Sequence, residues 1–291
     1  MITPTTPSAA RAEWEQLEGR IARGEHYLDE VLGEIKRDAY TDLVATWVPG
    51  GSRRILKTDL FEEACGPDEL VSSLVDRFDR VVGMDLSLAT AARASRRVGG
   101  SRTSFLVADV RRLPFRDGSL PTVLSPSTLD HFRDPSDLGL SLHELRRCLA
   151  ADGHAVVTLD NRRNVFDPLL RLVKCLGLVP FFLGRSYRSE ELRSEMEAAG
   201  FAVTAETAIV HSPRLLATGS VWLARRSGSR RLLAWVHAGI RAMQSWGEGR
   251  WCYRTGCFIA ALGSPAEASR PAATGRASDD ATHRSAAAAG A

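Results

Sequence analysis

Arg80-Val81-Val82-Gly83-Met84-Asp85-Leu86-Ser87-Leu88-Ala89-Thr90-Ala91-Ala92-Arg93 changes character in its middle. Its first half is a short apolar run that ends on an acid, and it predicts a strand over Arg80 to Leu86. From Leu88 to Val98 the apolar residues return at helical spacing, behind a serine suited to capping. The same alternation recurs on both sides. Upstream, the pattern predicts a strand over Arg54 to Glu63, ending at Ala64-Cys65-Gly66-Pro67, then a helix over Asp68 to Phe78. Downstream it predicts strands over Thr103 to Val107, Thr122 to Ser125 and His154 to Leu159, with a helix over Leu138 to Ala150. A helix over Ser189 to Ala199, a strand over Phe201 to Ala205 and a β-like run over Cys257 to Leu262 follow. Strands alternating with helices mean βαβ units and a mostly parallel, doubly wound α/β sheet.

Working outward, residues 1–50 read as an N-terminal helical extension, with Trp14, Leu17, Ile21, Tyr27, Leu28, Val31, Leu32 and Ile35 at helical spacing. Pro49-Gly50-Gly51-Ser52 separates it from a main domain over 51–263. Within that domain, 161–188 forms an apolar insert after the fifth strand. Residues 264–291, rich in Ala, Ser, Arg and Gly, read as a disordered tail.

The chain of 291 residues is 44% hydrophobic and 25% charged, with a formal net charge of +3. That balance suits a globular protein and gives no reason to expect a nucleic-acid partner. The most apolar window, Leu169 to Gly184, is interrupted by Arg171 and Lys174, so no integral membrane segment is expected. Five cysteines without a CxxC pair argue against a disulfide framework or metal site. With no signal peptide at the N-terminus, a cytoplasmic location is expected.

In open α/β sheets ligands sit at the carboxyl ends of the strands. Asp85 and Asp109 fall there, and Asp85 follows Gly66 by roughly the 20 positions expected of a carboxylate reaching a ribose diol. Asp109 stands where it could accept an exocyclic amine. The alternative for Asp85 is capping of the following helix, a task Ser87 could also take. A dinucleotide would need G-x-G-x-x-G so that the backbone can approach pyrophosphate. Here the run is Glu62-Glu63-Ala64-Cys65-Gly66-Pro67-Asp68, and its acids repel phosphate. An NAD- or FAD-linked oxidoreductase is therefore disfavoured, whereas a nucleoside bearing a positive sulfonium tolerates those acids.

Phe61 to Leu70 resembles the glycine-rich first motif of class I S-adenosylmethionine-dependent methyltransferases of the ubiquinone/menaquinone-biosynthesis type (methyltransferase type 11). Val81 to Ser87 resembles their second motif, Ala108 to Phe115 with Asp117-Gly118-Ser119 their third, and Leu145 to Gly153 their fourth. The resemblance implies a Rossmann-like, seven-stranded sheet with N-terminal helices and a helical insert after strand five. It also implies S-adenosyl-L-methionine as cofactor, held by Glu62, Ala64, Gly66, Asp85, Leu86, Asp109, Val110 and Ser125, with no metal. Ala64 and Asp68 depart from the family's first and third glycines, and Pro121-Thr122 from its usual Phe-Asp. A methyltransferase-like binding protein with an eroded cofactor loop is thus the alternative to an enzyme.

Methyl transfer chiefly needs alignment of nucleophile and methyl group, with a general base when the acceptor is a hydroxyl. In Ser127-Thr128-Leu129-Asp130-His131-Phe132, His131 is the base candidate, and His211 is a weaker one. The acceptor is expected to be a small, largely apolar metabolite or lipid-like molecule. Its pocket would come from the N-terminal helices and the insert, which carries Phe166, Leu169, Leu170, Phe181 and Phe182; Trp222, Trp235, Trp246 and Trp251 add bulk further on. Packing against the sheet explains the same residues. Lys57 is unusual in a central strand, and either pairs with Asp59 or Glu62 or lies at an exposed strand start.

Overall fold

The computed structural model describes residues 19, 29–51, 53–67, 69–176, 184–249 and 251–266. The helix expected between residues 9 and 28, Asp68, Phe181, Phe182 and the tail beyond 266 lie outside them.

Seven strands form one sheet in the order β3-β2-β1-β4-β5-β7-β6. They are β1 Arg54–Thr58, β2 Arg80–Asp85, β3 Thr103–Val107, β4 Leu120–Pro126, β5 Leu149–Asp160, β6 Phe201–Ile209 and β7 Phe258–Pro265. The first five run parallel, and β7 lies antiparallel between β5 and β6. β7 reaches two residues past the expected domain boundary at 263.

Period-2 alternation loads both faces of this sheet. Leu56, Val123, Val157 and Ile259 face one layer, packed with Leu138, Leu142 and Leu145 of α5 (Ser136–Cys148) and Leu192 and Met196 of α7 (Ser189–Ala198). Their neighbours Ile55, Leu124, Val156 and Ala260 face the other. That layer holds Tyr40 and Val44 of α1 (Glu30–Trp47), Leu70 and Leu74 of α3 (Leu70–Val75), and Ala91 and Ala94 of α4 (Leu88–Val98). The end of the N-terminal extension is therefore part of the core. Tyr40 is fully buried, and its hydroxyl lies 2.8 Å from Thr158 Oγ1 in β5.

The first strand is shorter than its pattern suggests. β1 ends at Thr58, Asp59 takes a left-handed φ of 65°, and Phe61–Cys65 forms a short helix, α2. The cause is electrostatic. Lys57 is 3% exposed in the middle of the sheet and cannot be left without a counter-charge. Its Nζ lies 2.9 Å from Glu63 Oε2, on a side chain that is fully buried, and it also donates to the Asp59 carbonyl. Glu63 Oε1 accepts the Val71 amide at 3.2 Å, which ties α2 to α3. Only a helical turn brings Glu63 back under Lys57, so the partner is Glu63, neither Asp59 nor Glu62 as the sequence suggested. Glu62 points away from it and pairs with Lys36 of α1 at 3.0 Å. Gly83 lets β2 approach this turn, since a Cβ there would stand 2.6 Å from Leu60 Cδ2.

Between β6 and β7 the chain leaves the sheet for an antiparallel pair of helices, α8 (Arg214–Arg226) and α9 (Arg230–Ala242). Ala217 and Val221 of α8 and Ile240 of α9 pack on Leu32 and Ile35 of α1. The sequence reading assigned no element here.

Removing one member of a buried ion pair typically costs about 3–5 kcal/mol. Lys57→Met is expected to lower the unfolding free energy by about that much in urea titrations. Adding Glu63→Leu should recover part of the loss, the remainder reflecting the Val71 amide.

Candidate functional site

The winding direction reverses between β1 and β4, so the crevice lies outside the carboxyl ends of those strands. Four segments meet there: the turn Asp59-Leu60, the end of β2 at Asp85-Leu86, the segment Ala108 to Val110 after β3, and the loop Pro126 to Phe132 after β4.

Asp85 stands at the rim, half-buried. Its Oδ2 accepts the Leu60 amide at 2.9 Å and its Oδ1 the Ser87 amide at 2.8 Å. These two bonds fix the carboxylate's direction at the carboxyl end of β2. The helix cap falls to Ser87, whose Oγ accepts the Thr90 amide at 3.2 Å. Leu86 is 55% exposed, an apolar platform beside a carboxylate.

Several expected ligand residues sit elsewhere. Ala64 is fully buried in the core, and buried Gly66 caps the far end of α2, where its carbonyl accepts Arg97 Nη2 at 3.0 Å. Neither forms the turn after β1, because that turn closes at Asp59, five residues before Ala64 and seven before Gly66. Glu62 is neutralised by Lys36. Ser125 is fully buried inside β4 and accepts Thr58 Oγ1 at 3.0 Å, so it supports the rim from below. Val110 packs in the core.

Asp109 is spent on a neighbour. Its oxygens take the Arg111 amide at 2.9 Å, Nε at 3.0 Å and Nη2 at 2.6 Å, while Arg111 also reaches Asp137 at 2.9 Å. Burial alone would raise the Asp109 carboxyl, but these bonds outweigh it and hold the group below the usual carboxylate range. An amine ligand would have to share Asp109 with Arg111.

The loop after β4 is rigid. Ser127 adopts φ 46° and donates from Oγ to Asp130 Oδ2 at 2.8 Å, and that same oxygen accepts the Asp160 amide at 2.8 Å. The Asp130 carbonyl accepts the Arg185 amide at 2.7 Å. A Cβ at Gly184 would lie 2.2 Å from this carbonyl, so glycine is required where the insert returns. Asp130 is fully buried; burial pushes its carboxyl up, partly offset by His131. His131 is 20% exposed and its Nε2 lies 3.8 Å from Asp130 Oδ1. The sequence reading chose His131 and passed over the acid beside it. His211, by contrast, is buried, with Nδ1 2.9 Å from Thr255 Oγ1 and Nε2 3.0 Å from the Ala208 carbonyl. Burial holds its proton affinity down, so His211 packs the base of the β6–β7 insertion.

Beyond β5 a shallow, open cleft with a cavity volume of about 20 Å³ lies between α6 (Asp167–Cys175) and the first turn of α8. Phe166, Leu169, Leu170, Leu215 and Leu216 form its walls, and Asp160 paired with Arg214 its floor. Arg214 also lies 4.5 Å over the Phe258 ring. Burial opposes the charge on Arg214, but Asp160 and Cys257 outweigh it and keep the guanidinium protonated. Among the described residues no group of three or more His, Cys, Asp or Glu is arranged to hold a metal.

A sheet wound in this order, with an acid ending β2 and the seventh strand antiparallel, is Rossmann-like and defines a nucleoside-binding class. Residues 61–157, a third of the chain, match the family model of a methyltransferase domain. A probable S-adenosylmethionine-dependent methyltransferase of Mycolicibacterium smegmatis is 27% identical over 164 residues, 56% of this chain and 60% of that protein. The match thus spans less than two thirds of the relative. A SAM-dependent methyltransferase of Thermotoga maritima shares the fold with a TM-score of 0.57 at 17% identity, over 87% of this chain and 99% of that one. Phosphoethanolamine N-methyltransferase 2 of Haemonchus contortus, solved with S-adenosyl-L-methionine, has a TM-score of 0.55 at 14% identity, over 86% of this chain and 60% of that one.

A carboxylate whose folded-state proton affinity is raised contributes stability fully below its unfolded value, near 4. That contribution is lost as pH rises toward the folded value. Wild-type protein is therefore expected to lose stability relative to Asp130→Asn as pH climbs above about 4, read as urea midpoints. The asparagine keeps an acceptor for Ser127 and the Asp160 amide.

Proposed function

We propose that the protein transfers a methyl group from S-adenosyl-L-methionine to a small, largely apolar acceptor held in the cleft beyond β5. The observation that carries this reading is the pairing of a carboxylate fixed by two backbone amides, Asp85, with an exposed apolar neighbour, Leu86, at the switch point of a sheet whose residues 61–157 match a methyltransferase domain. Asp85 suits a ribose diol through charge-assisted hydrogen bonds, and Leu86 suits the face of an adenine ring. Asp59, in its left-handed turn, brings backbone toward the ligand at the end of β1. When bound, the cofactor supplies an electrophilic methyl group on a sulfonium.

The chain's own residues then have to align the acceptor and take its proton. The walls of the cleft favour an apolar body, and the Asp160–Arg214 floor favours a polar or anionic end group. In this reading His131, in the loop after β4 beside Asp130, takes the proton from an acceptor hydroxyl through its imidazole. The turn after β1 also lacks the G-x-G-x-x-G run that a pyrophosphate would need.

A second reading has an observation of its own. The turn after β1 has no glycine and is braced by a buried ion pair, which also fits a binding protein without turnover. Methyl transfer from labelled S-adenosyl-L-methionine to apolar extracts separates the two. The enzyme reading expects a labelled product whose formation falls roughly 10²–10⁴-fold in His131→Ala, with cofactor affinity unchanged. Binding of the nucleoside without any labelled product would favour the second reading.

A further inference from the structure

The helical pair inserted between β6 and β7 ends in a tip that the methyltransferase reading leaves unused. The tip runs Arg225-Arg226-Ser227-Gly228-Ser229-Arg230-Arg231. Trp222 and Leu223 precede it, 60% and 61% exposed, and Leu232 and Trp235 follow it, 43% and 78% exposed. At a rise of 1.5 Å per residue, Trp222 lies roughly 6 Å from the end of α8 and Trp235 roughly 7.5 Å from the start of α9. In an antiparallel pair those positions stand at the same height. The buried faces of the two helices, carrying Ala217, Val221, Ala224 and Ile240, are turned toward α1 and each other. The two tryptophans are therefore on the outside of the tip.

Charge at this place is one-sided. Residues 214–242 contain six arginines and no aspartate or glutamate. Arg225 pairs with Asp29 and Arg241 with Glu34 at 2.8 Å. Arg226 lies 5.5 Å over the Trp222 ring, and Arg230 and Arg231 have no acid partner among the described residues. Exposed tryptophan and leucine beside unpaired arginine is the composition of a segment lying in a lipid headgroup layer. Nucleic acid would use the arginines but has no use for exposed Leu223 and Leu232. No helix among the described residues is long and apolar enough to cross a membrane, so the attachment would be peripheral.

We infer that the tip of the β6–β7 helical pair docks onto an anionic membrane surface, with Trp222 and Trp235 entering the headgroup region and Arg226, Arg230 and Arg231 meeting lipid phosphates.

The test is co-sedimentation of the full chain with phosphatidylcholine vesicles, with and without phosphatidylglycerol, read together with tryptophan fluorescence. Wild-type protein should bind the anionic vesicles only, shift its emission to the blue and release in salt. Affinity should fall at least about tenfold in Trp222→Ala/Trp235→Ala and in Arg230→Gln/Arg231→Gln, since each arginine near an anionic surface contributes about a factor of five. Unchanged circular dichroism would establish that these variants are folded. The inference is overturned if anionic vesicles are not bound, if neutral vesicles bind equally, or if the variants bind as wild type. It is also overturned if the same substitutions instead abolish self-association in sedimentation velocity or tighter binding to duplex DNA.

Discussion

A lysine in the middle of the central strand has to find a counter-charge within reach, and the cofactor rim is built around that need. Lys57 is paired with Glu63 in a nearly water-free site, where an isolated charge would be far too costly to bury. To deliver Glu63, the chain must stop extending at Thr58, turn through the left-handed Asp59 and coil over Phe61–Cys65. Leu60 then presents its amide to Asp85, which orients the rim carboxylate. The ion pair thus takes over the shaping of the turn that a run of glycines would otherwise provide.

That substitution has a chemical consequence. A glycine-rich turn offers backbone donors to phosphate; the turn found here is a single loop braced by the Lys57–Glu63 pair. A nucleoside without phosphate suits it. The insert after β5 and the helical pair between β6 and β7 meet over the Asp160–Arg214 pair.

Much of the framework could be read before any coordinates. The change of period around Asp85 located β2 and α4 to within a residue, because strand and helix there have unmixed patterns and a serine cap. The end of β1 could not be read, since Leu60, Phe61 and Ala64 look as apolar in a short helix as in a strand, and a left-handed aspartate leaves no mark that glycine would. For the same reason Gly66 was read as a ligand turn when it only caps α2. Asp109 was read as open although Arg111, two residues on, was visible as a partner. The helices over 214–242 were missed because their buried face is made of alanine and valine; the absence of any acid across the stretch was the available signal. Trp222 and Trp235 stood out as bulk, yet they lie on the outside.

Calorimetric titration of the purified chain with S-adenosylhomocysteine, beside NAD, tests the central claim most directly. The account predicts one-to-one binding of the sulfur nucleoside, no binding of NAD, and a loss of at least about tenfold in Asp85→Ala, as expected for a charge-assisted hydrogen bond. Absence of binding, or an Asp85→Ala variant that binds as tightly as wild type, would contradict it.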